Sequence, residues 1–173
     1  MKNRFAKTMV LSAAILAMFM AAEIPVIGQE IVKREVFPAP QNAADRIVGV
    51  WETTVTPRNC VTGEQVAPAF IGLITFHQGG TLSEYGANPA TPFRTPGHGV
   101  WQRGYRGEGS YLFDFTFIPL TPAGAPVGRL AVSQTLEIAR HSDNGSSSGS
   151  FQLTNTSGVV IGTGCTTSTA TKF

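Results

Sequence analysis

From residue 45 to its end the chain alternates apolar and polar positions in short runs, each closed off by Gly, Pro, Asn or Ser. The stretch GVWQRGYRGEGSYLFDFTF, residues 99–117, shows this most plainly. Tyr111, Phe113, Phe115 and Phe117 take every second position, and Trp101, Arg103 and Tyr105 keep the same spacing in the run before them. A period of two puts alternate side chains on one face of a β-strand, whereas a helix needs a period near 3.6. No segment carries apolar residues at helical spacing over a helix's length. The pattern predicts eight strands, at 46–56, 69–78, 81–86, 98–106, 110–118, 128–140, 149–155 and 159–169. Most connections are tight, so sequence neighbours pair antiparallel. The longer ones are 57–68, with Cys60, Gly63 and Pro68, and 87–97, with Pro89, Pro92 and Pro96.

Turn residues set an expected register. Gly79-Gly80, read as a two-residue turn, pairs His77 with Leu82 and Thr75 with Glu84. Gly107-Glu108 pairs Gln102 with Phe113 and Val100 with Phe115. Asn144-Gly145 is the dipeptide that type I′ turns prefer, and pairs Ile138 with Phe151 and Leu136 with Leu153. A loop over 156–158 pairs Asn155 with Val159 and Leu153 with Ile161. In this register one face is apolar throughout, with Phe113, Phe115, Ile138, Leu153 and Ile161 inside. Trp101, Arg103 and Tyr105 lie on the outer face with Asp114, and Trp101 forms a patch there with Tyr105. An antiparallel sheet with one apolar face must bury it, and closure into a barrel does so without leaving edges. The expected fold is all-β, an eight-stranded antiparallel meander closed into a barrel. The competitor is a two-sheet sandwich, which usually needs crossing connections.

The chain resembles the lipocalin-like (calycin) barrels. Gly49-Val50-Trp51 matches the Gly-x-Trp that opens their first strand, and the meander with its long first loop follows their order across residues 45–169. Their Thr-Asp-Tyr-type second motif and C-terminal helix have no counterpart. The resemblance implies a barrel that holds a small apolar ligand. The allene oxide cyclase and dirigent group, also eight-stranded secreted barrels, is the alternative likeness.

The first 28 residues read differently. Lys2, Arg4 and Lys7 precede an apolar run over 9–22 and small residues, the order of a secretory signal peptide. The run is shorter than the roughly 18–20 residues a membrane span needs, so no stable membrane anchor is expected after cleavage. Residues 29–44, with Pro38 and Pro40 and no period, read as a flexible arm, and 45–173 as the barrel domain. The full chain has 13 Lys+Arg and 11 Asp+Glu; without Lys2, Arg4, Lys7 and Glu23 the two balance. A neutral chain with no basic cluster offers no footprint for nucleic acid. Export also bears on Cys60 and Cys165, the only cysteines. A secreted or periplasmic location favours a disulfide between them. Simple pairing of first and last strands would set Cys165 near residue 50, so the 57–68 loop is expected to fold back to reach it.

Chemistry is sparse. His77, Glu84 and His98 fall close enough in the expected register to raise a metal site, but no H-x-H or H-E-x-x-H spacing supports one, and no metal or cofactor is expected. Arg103 and Asp114 are expected as diagonal neighbours, His141 beside Asp143 in a turn, and Ser146-Ser147-Ser148 as a flexible loop. No catalytic residue is assigned. Three functions remain open. The first is an exported barrel binding a small apolar or amphipathic molecule through Val100, Phe113, Phe115, Phe117, His98 and Leu136, at a mouth rimmed by 57–68 and 87–97. The second is a cofactor-free isomerase or cyclase of the allene-oxide-cyclase kind, using His98 or Glu84. The third is a structural or interaction barrel filled by its own rings. A lumen of several hundred Å³ would favour the first, since drug-sized sites run about 300–1,000 Å³.

Overall fold

The computed structural model describes residues 45–173; the expected leader, 1–28, and arm, 29–44, lie outside the described residues. Eight strands follow in chain order: β1 Gly49–Arg58, β2 Phe70–Phe76, β3 Thr81–Gly86, β4 Gly97–Arg103, β5 Ser110–Phe117, β6 Gly128–Ile138, β7 Asn144–Asn155 and β8 Val160–Lys172. Each pairs antiparallel with the next, and β1 pairs with β8, so the sheet is a closed meander barrel. No helix occurs among the described residues. Closure gives every strand two neighbours and removes the unpaired edges that an open sheet would expose.

The expected register fails at two hairpins, with large consequences. Phe76 pairs with Leu82 and Ile74 with Glu84, because the connection is a three-residue loop, 78–80, closed by His77 N donating to Thr81 O at 2.9 Å. Gly79 and Gly80 both adopt the left-handed φ that such a tight reversal requires. Likewise Trp101 pairs with Phe113 and Arg103 with Tyr111, across a loop over 105–109 closed by Gly104 N to Ser110 O at 2.7 Å. Two-residue turns would keep the expected parity, but odd-length loops shift the register by one, and a one-residue shift exchanges the faces. Trp101 is therefore inside and buried, not on an outer patch, while Val100 and His98 face out. Arg103 and Asp114 lie on opposite faces instead of side by side. His77 and Glu84 likewise part, His77 outward against the Ser83 hydroxyl (3.1 Å) and Glu84 inward.

The other hairpins fare better. Asn144-Gly145 is not a turn; the reversal occupies 140–143, and the Ser-rich run lies in β7. Ile138 pairs with Gly145 and Val132 with Phe151, a slide by an even number that preserves the faces. The 156–158 loop holds as read, with Asn155 N donating to Val159 O at 2.9 Å. A bulge at Leu153/Thr154 then shifts β8 by one, so Leu153 faces Gly162 and Ile161 is turned out to solvent. Of the five positions expected inside, Phe113 and Ile138 are buried, Phe115 and Leu153 are half-buried, and Ile161 is exposed.

Cys60 and Cys165 are disulfide-bonded, as expected, with a sequence separation of 105. No fold-back is needed, because β1 and β8 pair Arg58 with Cys165 and Cys60 lies just beyond that pair. Reduction is expected to lower stability by about 4–5 kcal/mol on the chain-entropy argument. Urea denaturation with and without reductant measures the difference, and the native oxidised protein should take up no thiol label. A second prediction concerns Gly99. A Cβ there would overlap the Asp114 carbonyl oxygen and the Phe115 backbone directly across the β4–β5 pair. Gly99→Ala is expected to destabilise by about 1–3 kcal/mol, the usual cost of overpacking, in the same assay.

Candidate functional site

The two ends of the barrel are built differently. At the end where β1 begins, the lumen is full. Trp51, Ile74, Phe76, Leu82, Trp101, Tyr111, Phe113, Leu136 and Ile138 form one buried cluster with Ile47 and Ala170. Phe76 meets Phe113 edge-on at 5.3 Å and Trp101 at 6.4 Å, and Trp101 meets Tyr111 at 5.9 Å. Such edge-to-face contacts suit the quadrupoles of the rings. The first strand, expected from residue 46, begins only at Gly49; residues 45–48 are a turn that covers this end. The two indole N–H groups are satisfied there: Trp51 donates to Ile47 O at 2.7 Å and Trp101 to His77 O at 2.9 Å. Buried Asp45 pairs with Arg103, and Arg46 donates to Ala139 O (2.7 Å) and Ser142 O (2.8 Å). The Tyr111 hydroxyl is pushed above the ordinary tyrosine range by burial first, and then by the Asp45 charge.

Halfway along, side-chain hydrogen bonds join three strands. Gln134 on β6 donates to Thr166 Oγ1 on β8 at 2.6 Å, Ser147 on β7 donates to Gln134 Oε1 at 3.0 Å, and Ser147 and Ser168 share a bond of 2.6 Å. Here the lumen keeps a cavity of about 10 Å³, lined by the Thr53, Ser147 and Ser168 side chains and by Trp51, Phe76 and Phe113. That is room for about one water, far below a ligand.

Toward the other end the lumen is not sealed. Inward-facing Val55, Phe70, Phe115, Val132, Phe151 and Leu153 are all half-buried. Their rings lie along the wall rather than across it. Phe151 covers Gly164 so closely that a Cβ there would strike its ring, and Phe115 lies against Gly97 and Gly99. Phe115 also stacks on Phe113, centroids 6.2 Å apart, which joins these half-buried side chains to the packed floor below. Beneath the rim, Arg94 from the 87–96 connection reaches Glu84 on β3 at 2.6 Å, both side chains under 10% exposed. Its guanidinium lies 3.8 Å from the centroid of the buried Phe117 ring. Arg94 Nε is buried without a hydrogen-bond partner.

Among the six residues read as ligand-binding, Phe113, Phe117 and Leu136 are buried, Phe115 is half-buried on the inner face, and Val100 and His98 are outside the lumen. No group of three metal-ligating side chains gathers among the described residues. Sequence reasoning missed the Glu84–Arg94 pair. The one-residue shift at 78–80 is what turns Glu84 inward, and no local pattern marks Arg94 as its partner. Compared with known proteins, the chain matches no protein-family model, and no curated protein or solved structure is significantly similar to it.

Burial raises the Glu84 carboxyl above its ordinary value, outweighing the charge and hydrogen bond of Arg94 that act the other way. The folded state then takes up this proton before the unfolded state does. The stabilising contribution of Glu84 is complete below the unfolded value, near about 4.3, and is lost as pH rises through the folded one. Thermal midpoints of wild type and Glu84→Gln, compared between mildly acidic and neutral pH, measure this. The wild-type value relative to the variant is expected to fall as pH rises; a difference that stays level or grows contradicts the assignment.

Proposed function

We propose that the protein is an exported binding module that takes a small apolar or amphipathic molecule into the cup at the open end of its barrel. The observation that carries this reading is the contrast along one continuous inner face. Inward side chains at one end are sealed by residues 45–48, while at the other, beside Phe117 buried under Arg94, inward Val55, Phe70, Phe115, Val132, Phe151 and Leu153 are only half-buried. Apolar surface that the fold can bury but leaves wet is where a ligand gains most from burial, at about 25 cal/mol per Å². The Cys60–Cys165 bond and the basic, then apolar, start of the chain support export. Kinship with the calycin barrels is supported by Gly49-Val50-Trp51, whose tryptophan is buried in the packed end.

The filled-barrel reading is favoured by a different observation. The cavity there is only about 10 Å³, so no ligand fits in the deep half without moving side chains. The isomerase reading has least support. Glu84 is held by Arg94, and His98 is exposed on the outer face, so the two do not converge on one pocket.

Nile red and a panel of fatty acids test the proposal. The wild type is expected to bind with a thermal shift, and Val132→Arg, which puts a charge into the cup, should weaken binding about ten-fold or more, equivalent to roughly 1.4 kcal/mol. Tyr105→Ser, at the sealed end, should bind as wild type does. No bound molecule in native mass spectrometry of protein from its own host, with no thermal shift across the panel, would leave the filled barrel as the reading.

A further inference from the structure

We propose that the open end of the barrel docks on the surface of a neutral lipid bilayer, the source of the apolar molecule that the cup takes up. The identity of the ligand rests on the reading above; the docking face stands on observations of its own.

The first is where exposed apolar side chains lie. Of fifteen large hydrophobic residues exposed among the described residues, eight belong to the connections at the open end or to the first residues of β8. The six most exposed of these are Val61, Val66, Phe93, Val159, Val160 and Ile161. They come from three separate segments, so they ring the cup instead of extending one strand face. Scattered single hydrophobics are ordinary on a soluble surface, whereas a contiguous apolar patch marks a contact site.

The second is charge. The four connections at this end, 59–69, 87–96, 118–127 and 156–159, hold Glu64 and Arg94 as charged residues, Arg94 is buried against Glu84, and the strand ends beside them add Arg58 and Arg129. The opposite end carries Asp45, Arg46, Arg103, Arg106, Glu108 and Arg140. A charge brought to a bilayer is costly, so a face whose connecting loops are poor in charge, with apolar residues projecting from them, fits the headgroup–acyl boundary. The absence of a basic cluster selects neutral over anionic lipid, because anionic surfaces are recognised by Lys and Arg.

The third is rigidity. Val61 is 94% exposed, yet the turn beneath it is held firmly. Cys60 is bonded to Cys165, and Asn59 Oδ1 accepts from Val61 N at 2.8 Å and Thr62 N at 3.2 Å. Pro68, Pro89, Pro92, Pro96, Pro119 and Pro126 stiffen the remaining connections. A side chain already fixed in its projecting position loses little conformational freedom on insertion. Continuity with the cup completes the argument, since an apolar molecule leaving the bilayer would enter the lumen without crossing water.

The test is co-sedimentation of the full chain with phosphatidylcholine vesicles. Wild type is expected to pellet with vesicles, with little dependence on salt. The triple variant Val61→Asp/Val66→Asp/Phe93→Asp should lose about a hundred-fold in partitioning, since each side chain withdrawn from lipid removes the gain of a buried apolar group. Tyr105→Asp/Phe173→Asp, exposed residues away from the rim, should partition as wild type does. All versions carry the same residues before position 45, so the difference reports the rim. Val159→Asp, outside the disulfide-bonded loop, repeats the test should the triple variant fold poorly. Wild type remaining in the supernatant, or rim variants pelleting like wild type, overturns the proposal. So does a wild type that ignores vesicles but self-associates through the rim, which would make this face an interface between copies. The wild type separates the two readings: vesicle binding without Nile red uptake defeats the ligand reading alone, and uptake without vesicle binding defeats docking alone.

Discussion

An eight-stranded barrel has a lumen of nearly fixed width, just enough to be filled by side chains or to hold one small ligand. In this chain that width is used differently at the two ends, and the rest of the molecule follows from the difference. Trp51 and Trp101 enter the same half, where they are among the largest fully buried side chains. Two indoles with Phe76, Tyr111 and Phe113 leave little more there than a water-sized gap. The other half has glycines on the inner wall at Gly86, Gly97 and Gly164, each overlaid by a neighbouring ring or by the Glu84 carboxylate. A ring laid on glycine covers the wall without spanning the lumen. The sealed half is therefore a scaffold, and the open half is the part free to contact something else.

The fold class was legible in the sequence because it depends on parity, turn signals and the absence of helical spacing. Eight strands, their order and the identity of the ring row as core all rest on those features. The faces of β3 and β4 were not legible, because parity across a hairpin depends on whether its loop holds an odd or even number of residues. Gly79-Gly80 and Gly107 allow several loops, and the sequence does not choose among them. The bulge at Leu153/Thr154 carried no signal, and Ile161 was lost with it. The cup was half visible. Phe115 and Leu153 were placed on the inner face, but their incomplete burial depends on what covers each end, and that is decided by residues 45–48, of which 46–48 read as strand.

The disulfide was visible as a pair but not as a location. Its place beside the rim gives it a role beyond constraining the unfolded chain. It ties the first long connection to β8 at the open end, so the loop bearing Val61 and Val66 is held where the barrel is least packed. At the opposite end Asp45, Arg46 and Lys172 secure the chain through hydrogen bonds and an ion pair. At the rim a covalent tie does what a packed core does below.

The buried Glu84–Arg94 pair fits this division as well. Two charges under a half-open apolar rim are expensive to desolvate, and such a pair often stabilises no more than a hydrophobic replacement would. What it supplies is position. Arg94 sits on a connection without regular strand structure, and its contacts with the Glu84 carboxylate and the faces of Phe117 and Tyr85 tie that connection to β3 and β5. Phe93, the residue before it, is exposed at the rim. Inward anchoring of Arg94 and outward projection of Phe93 are thus two results of one local geometry, in which adjacent residues of an extended segment point opposite ways. Buried Glu84 is therefore best understood as the fixing point of the rim, its carboxyl raised by burial and already paired with Arg94 rather than left free for proton transfer.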